Sequence, residues 1–512
     1  MMIFDILQRR ADYEPDKRAL VDLASGRAYT YAQANARASA VAEVLAAHCK
    51  LSSGARVALL MQNCTEFFEI LFGCAKAGMI AVPLNWRLAA PELQGILQDC
   101  TPDLLIYDAQ FAPTIAALKE LTPGLQCIAL GGQSDDAVDP AYEVLLTQTS
   151  GKPVIMPERA LTDTWYILYT SGTTGKPKGV IQTYGMALFN HLNIGAPMAL
   201  TSADVTLNLL PLFHTGGINL LTMPTLLAGG TALIMKSFDA GSALQLFSRE
   251  VTAFFGVPAI YLMLSQHPDF AQADLARVRV MACGGAPLPI SVLDLYAERG
   301  VVIRQGFGMT ETGPTVFLMD EQNVRRKAGA VGKPAMFVAA RVVDAAGKDL
   351  PPDAIGELLL RGPAITPGYW QQAEKTAEAF TADGWLRTGD LARRDEENYF
   401  YIVDRSKDMF ISGGENVYPA EVENVLFQHP AVLEAAVLGL PDPKWGESGL
   451  AVVACKPGQE VSAENLLAFC NDRLARYKLP KHIAFVPSLP RNAAGKVVKP
   501  ELRKLYAPRF IV

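Results

Sequence analysis

Hydroxyl, glycine and lysine residues crowd one short run of this chain, Tyr169-Thr-Ser-Gly-Thr-Thr-Gly-Lys-Pro-Lys-Gly-Val180. From Thr170 to Gly175 every residue is a hydroxyl side chain or a glycine, and Lys176 and Lys178 follow. Glycines let the main chain turn its N–H groups toward an anion at close range. Hydroxyls add donors, and an ammonium adds a point charge suited to phosphate. The chemistry implied is the cradling of a polyphosphate. The run is not a Walker A loop, because Pro177 follows Gly175-Lys176 where Ser or Thr is needed. A short glycine-rich stretch is usually only a turn. This one is set apart by its hydroxyl and lysine content.

Further motifs follow at intervals: Leu210-Pro-Leu-Phe-His-Thr-Gly-Gly217, Cys283-Gly-Gly-Ala-Pro-Leu-Pro289, Gln305-Gly-Phe-Gly-Met-Thr-Glu-Thr-Gly-Pro314 and Gly384-Trp-Leu-Arg-Thr-Gly-Asp390. The last are Asp404-Arg-Ser-Lys-Asp408, Ser412-Gly-Gly-Glu-Asn-Val-Tyr-Pro419 and Pro490-Arg-Asn-Ala-Ala-Gly-Lys496. Singly, each has a plain alternative: His214 as a satisfied core histidine, Asp390 as a turn residue, Lys496 as a solvated lysine. Leu130-Gly-Gly-Gln-Ser134 imitates a phosphopantetheine attachment serine, but Asp135-Asp136 follows and it reads as a surface turn.

The elements that must position these groups alternate. Strand-like runs at 56–61, 79–82 and 104–107 are separated by helical periodicity at 66–77 and 91–98, which argues for an α/β sheet. Residues 167–169 form a short apolar strand before the first motif, and 278–282 runs straight into Gly284-Gly285. Loops at the carboxyl ends of parallel strands are where such sheets hold ligands. From 356 to 369 the pattern changes to short strands and turns. After a strand at 399–403, the remaining residues carry their own helices (420–429, 463–474) and strands (433–438, 450–454). The expected architecture is a large N-terminal domain of α/β sheets with a small β-rich subdomain, residues 1–404. A small, mobile α+β C-terminal domain, residues 405–512, completes it.

Half of the 512 residues are hydrophobic and 19% are charged, which excludes global disorder. The net charge of −6 gives no sign of a general nucleic-acid binder. Eight scattered cysteines, without a C-x-x-C pair, fit a reducing compartment and give no zinc signal. The first residues lack a signal-peptide core, and the best apolar stretch, 71–84, is broken by Lys76. The expectation is a cytoplasmic protein without a transmembrane segment, with a homodimer left open.

As an ordered set spanning nearly the whole chain, the motifs resemble the adenylate-forming superfamily of acyl-CoA synthetases, luciferases and nonribosomal peptide adenylation domains. The resemblance implies a ligase that joins a carboxylate to the α-phosphate of ATP, releases pyrophosphate, and passes the acyl group to coenzyme A. It implies that Thr170, Ser171, Gly172, Thr173, Thr174 and Lys178 hold the β- and γ-phosphates. Glu311, with Thr170, would hold Mg²⁺, and Thr310 would meet the α-phosphate. Gly285, Ala286, Phe307, Gly308 and Met309 would border the adenine; many relatives have tyrosine at the Phe307 position. Asp390 would accept the ribose hydroxyls, with Arg405 nearby. Lys496 would enter from the small domain to bridge the α-phosphate and the acid. Gly413 and Gly414 would line the pantetheine channel after the small domain pivots at Lys407. Trp445 and Tyr477 are candidates for the nucleotide end of CoA, and equally ordinary surface aromatics. Most relatives have glycine where Asp404 stands, and many have aspartate at the hinge position of Lys407.

By the same resemblance the acid pocket is lined by His214, Gly216, Phe255, Gly284, Gly306, Gly313 and Pro314. Many of these are small, and His214 and Phe255 supply ring walls, so a long apolar tunnel and a flat aromatic slot are both open. No arginine precedes Phe307 to pair a second carboxylate. The expected substrate is a hydrophobic monocarboxylic acid, a medium- or long-chain fatty acid before a hydroxycinnamate-type aryl acid. The competing activities are an acyl-AMP ligase that loads a separate carrier protein, a luciferase-like oxygenase and a non-catalytic nucleotide binder. Retention of both Glu311 and Lys496 argues against the last.

Overall fold

The computed structural model describes residues 2–131, 139–170, 177–405, 408–412, 415–471, 473–492 and 496–510, and of Arg405 the main chain only. Ser171, Gly172, Thr173, Thr174, Lys407, Gly413, Gly414 and the Ser134 turn, for which the sequence carries an expectation, lie outside the described residues.

The strand–helix alternation builds two large sheets. In the first, Ile80–Pro83, Arg56–Leu60, Leu104–Asp108 and Cys127–Leu130 run parallel. Thr164–Thr170 continues it in parallel, and Lys178–Thr183 closes its edge antiparallel. The second sheet runs parallel from Ile303–Gly308 through Val280–Cys283, Ala253–Gly256, Val205–Asn208 and Thr231–Ile234 to Arg18–Asp22, with antiparallel strands at both ends. Strands buried on both faces read as unbroken apolar runs, which is why Val57–Leu60 and Val280–Cys283 carry no polar alternation.

The Thr65–Ala77 helix lies between layers and is buried on nearly every side, with Phe67, Phe68, Ile70, Leu71 and Phe72 in the core. It stops at Gly78, whose φ of 72° provides the left-handed cap.

A four-stranded antiparallel sheet follows, Ala339–Val343, Gly356–Arg361, Leu386–Arg394 and Phe400–Arg405. The last sheet is separate: Phe410–Ser412, Glu415–Val417, Gly446–Cys455, Val432–Asp442 and Pro480–Phe485, flanked by helices Pro419–Phe427 and Ala463–Asn471. The chain is thus a large N-terminal domain with a smaller C-terminal one. Across the junction, the Asp404 carboxylate accepts the Ala420 N–H at 3.0 Å. Among the described residues no helix is long and apolar enough to cross a membrane.

Candidate active site

The residues flanking the glycine-rich run face each other. Thr170 ends one strand, Lys178 begins the next, and the two are cross-strand partners. A hairpin at the sheet edge therefore presents the run. Its outer strand is covered by the segment after the Gly356–Arg361 strand: Trp370 N–H donates to Gly179 O at 2.7 Å, Ile181 N–H to Gly368 O at 3.1 Å, and Tyr369 bridges Val180.

Glu311 sits in the connection between the antiparallel strands Ile303–Gly308 and Thr315–Leu318. Three groups hold it. Gln182 Nε2 donates to Thr310 O at 2.9 Å, Thr366 N–H donates to Glu311 O at 2.8 Å, and the Tyr369 hydroxyl donates to Glu311 Oε1 at 3.1 Å. Gly313, at φ 85°, lets the main chain reverse. Burial raises the pKa of the Glu311 carboxyl above its ordinary value, and its own main-chain hydrogen bond, Tyr369, Lys178 and Lys496 oppose the rise. A buried carboxylate in that state favours a cation. Among the described residues no cluster of three or more His, Cys, Asp or Glu is arranged for a metal. One hard oxygen donor beside lysines fits Mg²⁺ held jointly by carboxylate, phosphate oxygens and water.

Lys496 reaches this centre from the small domain. Its N–H donates to Asn492 Oδ1 at 2.9 Å, and Asn492 N–H donates back to Lys496 O at 2.8 Å. Its side chain passes Gly285, where a Cβ would lie 3.8 Å from Lys496 Cε. Gly285 has φ 85°, so a side chain there would be strained as well as in the way.

His214 also feels Lys496. Burial lowers its pKa to about 4, helped by Lys496 and Arg87, so the imidazole is neutral at pH 7. Its Nε2 is buried without a hydrogen bond. The His214 ring lies 4.6 Å from Phe213, which meets Trp86 edge-on at 6.3 Å, and the Arg87 guanidinium stands 4.6 Å over the Trp86 ring. Asn63 sets the loop before His214: its Oδ1 accepts Leu212 N–H at 3.0 Å and its Nδ2 donates to Leu210 O at 3.0 Å.

Asp390 is buried, and strand pairing puts it opposite Arg405. Phe307 is half-buried with its ring 6.0 Å from Phe317. A Cβ at Gly308 would collide with the Pro314 carbonyl. Met309 N–H donates to Thr312 Oγ1 at 2.9 Å, and Ala286 is exposed beside Gly285.

Close main-chain neighbours account for two of the small residues expected in the acid pocket. A Cβ at Gly306 would lie 2.9 Å from Phe317 O, and one at Gly313 would lie 3.0 Å from Ala364 O. Both glycines are dictated by main-chain packing. A Cβ at Gly284 would lie 2.9 Å from the Phe255 ring, one at Gly216 would lie 3.3 and 3.4 Å from Leu220 and Leu210, and Pro314 is buried.

Trp445 is exposed beside the Lys444 ammonium. Tyr477 lines a cleft of about 810 Å³ between the Pro287–Ser291 stretch and the helix Pro419–Phe427. Sequence reading overlooked Trp86, Arg87, Asn63, Gln182, Thr366 and Tyr369. Only Asn85-Trp86-Arg87, a polar and aromatic stretch just past a buried strand, carried a visible signal.

A buried carboxylate with lysines from two domains around it is a centre suited to a polyphosphate and a second anion. The profile of the AMP-binding enzyme family matches residues 7–370, and that of the AMP-binding enzyme C-terminal domain matches residues 421–496. A feruloyl-CoA synthase of an Amycolatopsis species is 40% identical over 499 residues, 97% of this chain and 98% of the relative. A long-chain-fatty-acid–CoA ligase of Mycobacterium tuberculosis is 39% identical over 507 residues, 98% of each. The crystal structure of ATP-bound MatB from Rhodopseudomonas palustris superposes with a TM-score of 0.91 at 32% identity, covering 99% of this chain and 100% of that one. The chain belongs to the AMP-binding enzymes, in the CoA-ligase branch of the adenylate-forming superfamily. It is an acid–thiol ligase that uses ATP and CoA.

Proposed function

We propose that this ligase activates a compact hydrophobic monocarboxylic acid, an aryl or arylpropenoic acid in preference to a long fatty chain. The observation that carries this reading is the packing of Gly306 and Gly313 against main chain. A side chain at either position would meet a carbonyl, so neither glycine needs substrate volume to explain it. The expected ring walls of His214 and Phe255 favour a flat acid, since rings prefer offset or edge contacts. The feruloyl-CoA synthase relative supports the same reading. A medium- or long-chain fatty acid is the second reading, supported by the M. tuberculosis relative.

In the first half-reaction the acid's carboxylate attacks the α-phosphate and pyrophosphate leaves. Lys496 bridges the two reacting anions and offsets their repulsion. Lys178 and the hydroxyls from Thr170 onward hold the outer phosphates, Thr310 contacts the α-phosphate, and Phe307 borders the adenine. Asp390 takes the ribose, with Arg405 across the strand pair. Glu311, with Thr170, would hold Mg²⁺, which neutralises charge on the phosphates. Neutral His214 walls the acid without adding charge. In the second half-reaction the domain beyond residue 404 turns about Lys407, the Asp404–Ala420 hydrogen bond opens, and Gly413–Gly414 lines the path of the CoA thiol. The eight free cysteines fit the cytoplasm as the place of work.

The test is pyrophosphate exchange across a panel of ferulate-like, phenylpropanoic and C6–C16 fatty acids, followed by CoA-dependent release of AMP. Ferulate-like acids should give the highest kcat/KM. A rise with chain length to C12 or beyond would install the fatty-acid reading. Acyl-adenylate that yields no thioester with CoA would point to a carrier-protein acceptor.

A further inference from the structure

We propose that Tyr369 is a positioning residue that sets the Glu311 carboxylate and the Lys178 ammonium at a fixed spacing, so that a metal-bound triphosphate meets both at once. This rests on the reading of Glu311 and Lys178 given above. The tyrosine is anchored by its main chain and active at both faces of its side chain. Its N–H donates to Thr376 Oγ1 at 3.0 Å, its backbone bridges Val180, and its neighbours Gly368 and Trp370 pair with Ile181 and Gly179. It is thus held along the strand that Lys178 begins. From there the hydroxyl donates to Glu311 Oε1 at 3.1 Å, and the ring face lies 4.7 Å beneath the Lys178 ammonium.

Both partners are long side chains with rotamer freedom to lose. Each is pinned by a different part of one half-buried ring. The hydroxyl engages Oε1 of the carboxylate. The ring's negative face holds the lysine without neutralising it, as a carboxylate partner would. A second strut steadies the same element: Thr366 gives its N–H to Glu311 O and its hydroxyl to Ile181 O at 2.7 Å.

The two functions of the ring separate by substitution. Tyr369→Phe keeps the face and removes the hydroxyl; Tyr369→Leu removes both. Calorimetric titration of each protein with ATP, with Mg²⁺ and again in EDTA, reads them independently. For Tyr369→Phe, binding of Mg²⁺-ATP should weaken about tenfold, the scale of one hydrogen bond to a charged group, while metal-free ATP binds as in wild type. The Mg²⁺ concentration for half-maximal pyrophosphate exchange should rise in parallel. For Tyr369→Leu, metal-free ATP should weaken as well. Unchanged Mg²⁺-ATP binding by Tyr369→Phe would overturn the proposal, as would equal weakening with and without metal, the mark of a general structural role. If Tyr369→Leu does not fold, the phenylalanine variant decides alone. A wild-type protein that bound ATP equally well with and without Mg²⁺ would instead remove the metal reading of Glu311 beneath it.

Discussion

Replacing Lys496 with alanine should divide the two half-reactions and, separately, change the titration of a histidine in another domain. The lysine lies over Gly285, with Cε 3.8 Å from where a Cβ would stand, and its charge acts on both His214 and Glu311. Its proposed role is to stabilise charge that develops as the carboxylate meets the α-phosphate. Losing one such preorganised donor costs roughly 10²–10³ in rate, or about 2.7–4 kcal/mol. Pyrophosphate exchange should fall by that factor. Acyl-CoA formation from synthetic acyl-adenylate should stay within a few-fold of wild type, because that step no longer needs the bridge. The histidine supplies an independent readout. Burial is the larger cause of its low pKa, and Lys496 adds to it. Without the lysine the pKa should rise from about 4 yet stay below the ordinary 6.5, because the burial remains. With six histidines in the chain, the ring signals can be followed by NMR and His214 assigned with a His214→Phe variant. Between pH 7 and 5 the wild-type signal should barely move, and that of Lys496→Ala should begin to titrate. Equal loss of both half-reactions would refute the assigned role. An unchanged His214 titration would refute the docking of Lys496 against the large domain.

Glu311→Gln should abolish Mg²⁺-dependent turnover by about a hundredfold or more without lowering metal-free stability. The folded-state pKa of Glu311 is raised, so its ionisation is penalised in the fold and stability falls as pH climbs from about 4.5 toward that raised value. The glutamine removes this penalty, so its melting temperature in EDTA should equal or exceed wild type at pH 8, with the gap closing near pH 4. A clear drop at pH 8 would contradict the sign. Gly306→Leu should destabilise by about 1–3 kcal/mol, because its Cβ meets Phe317 O at 2.9 Å, and should leave acid preference unchanged. A stable variant with a shortened substrate preference would show that Gly306 borders the pocket after all. Lys407→Pro should retain pyrophosphate exchange and lose acyl-CoA formation, since proline fixes φ at the proposed pivot. Retained thioester formation would place the pivot elsewhere.

The alternation of apolar runs and helical periodicity made the two large sheets legible, because a strand buried on both faces and a helix between layers each leave a local signature. The 66–77 periodicity and the Thr65–Ala77 helix differ by one residue at the start. The charge-bearing members of the proposed site were singled out for a related reason: Lys178, Glu311, Asp390 and Lys496 stand in short runs of glycine, threonine and proline that no core needs. Two kinds of information were out of reach. One is direction: Gly306 and Gly216 look alike in sequence, and only their places, one in a strand and one opening a helical turn, decide that a Cβ would meet a carbonyl at the first and two leucines at the second. The other is long-range company. Tyr369 lies 58 positions from Glu311, and Asn63 lies 149 from the loop it braces, so no local pattern could pair them.

The antiparallel pairing of Thr170 with Lys178 has a consequence for how the enzyme handles charge. In a strand-to-helix phosphate loop, the helix terminus contributes a permanent field that exists before any ligand arrives. Here the strand Lys178–Thr183 follows instead, so that contribution is not built into the hairpin. The positive charge comes from side chains on two domains, Lys178 on the sheet and Lys496 on the small domain, and under the proposed rotation it arrives in instalments. The electrostatic depth of the pocket is therefore a variable of domain position. ATP meets the stronger field while the acid is being joined to it. On the proposed rotation Lys496 leaves, the field around AMP weakens, and the movement that admits the thiol also loosens the nucleotide product.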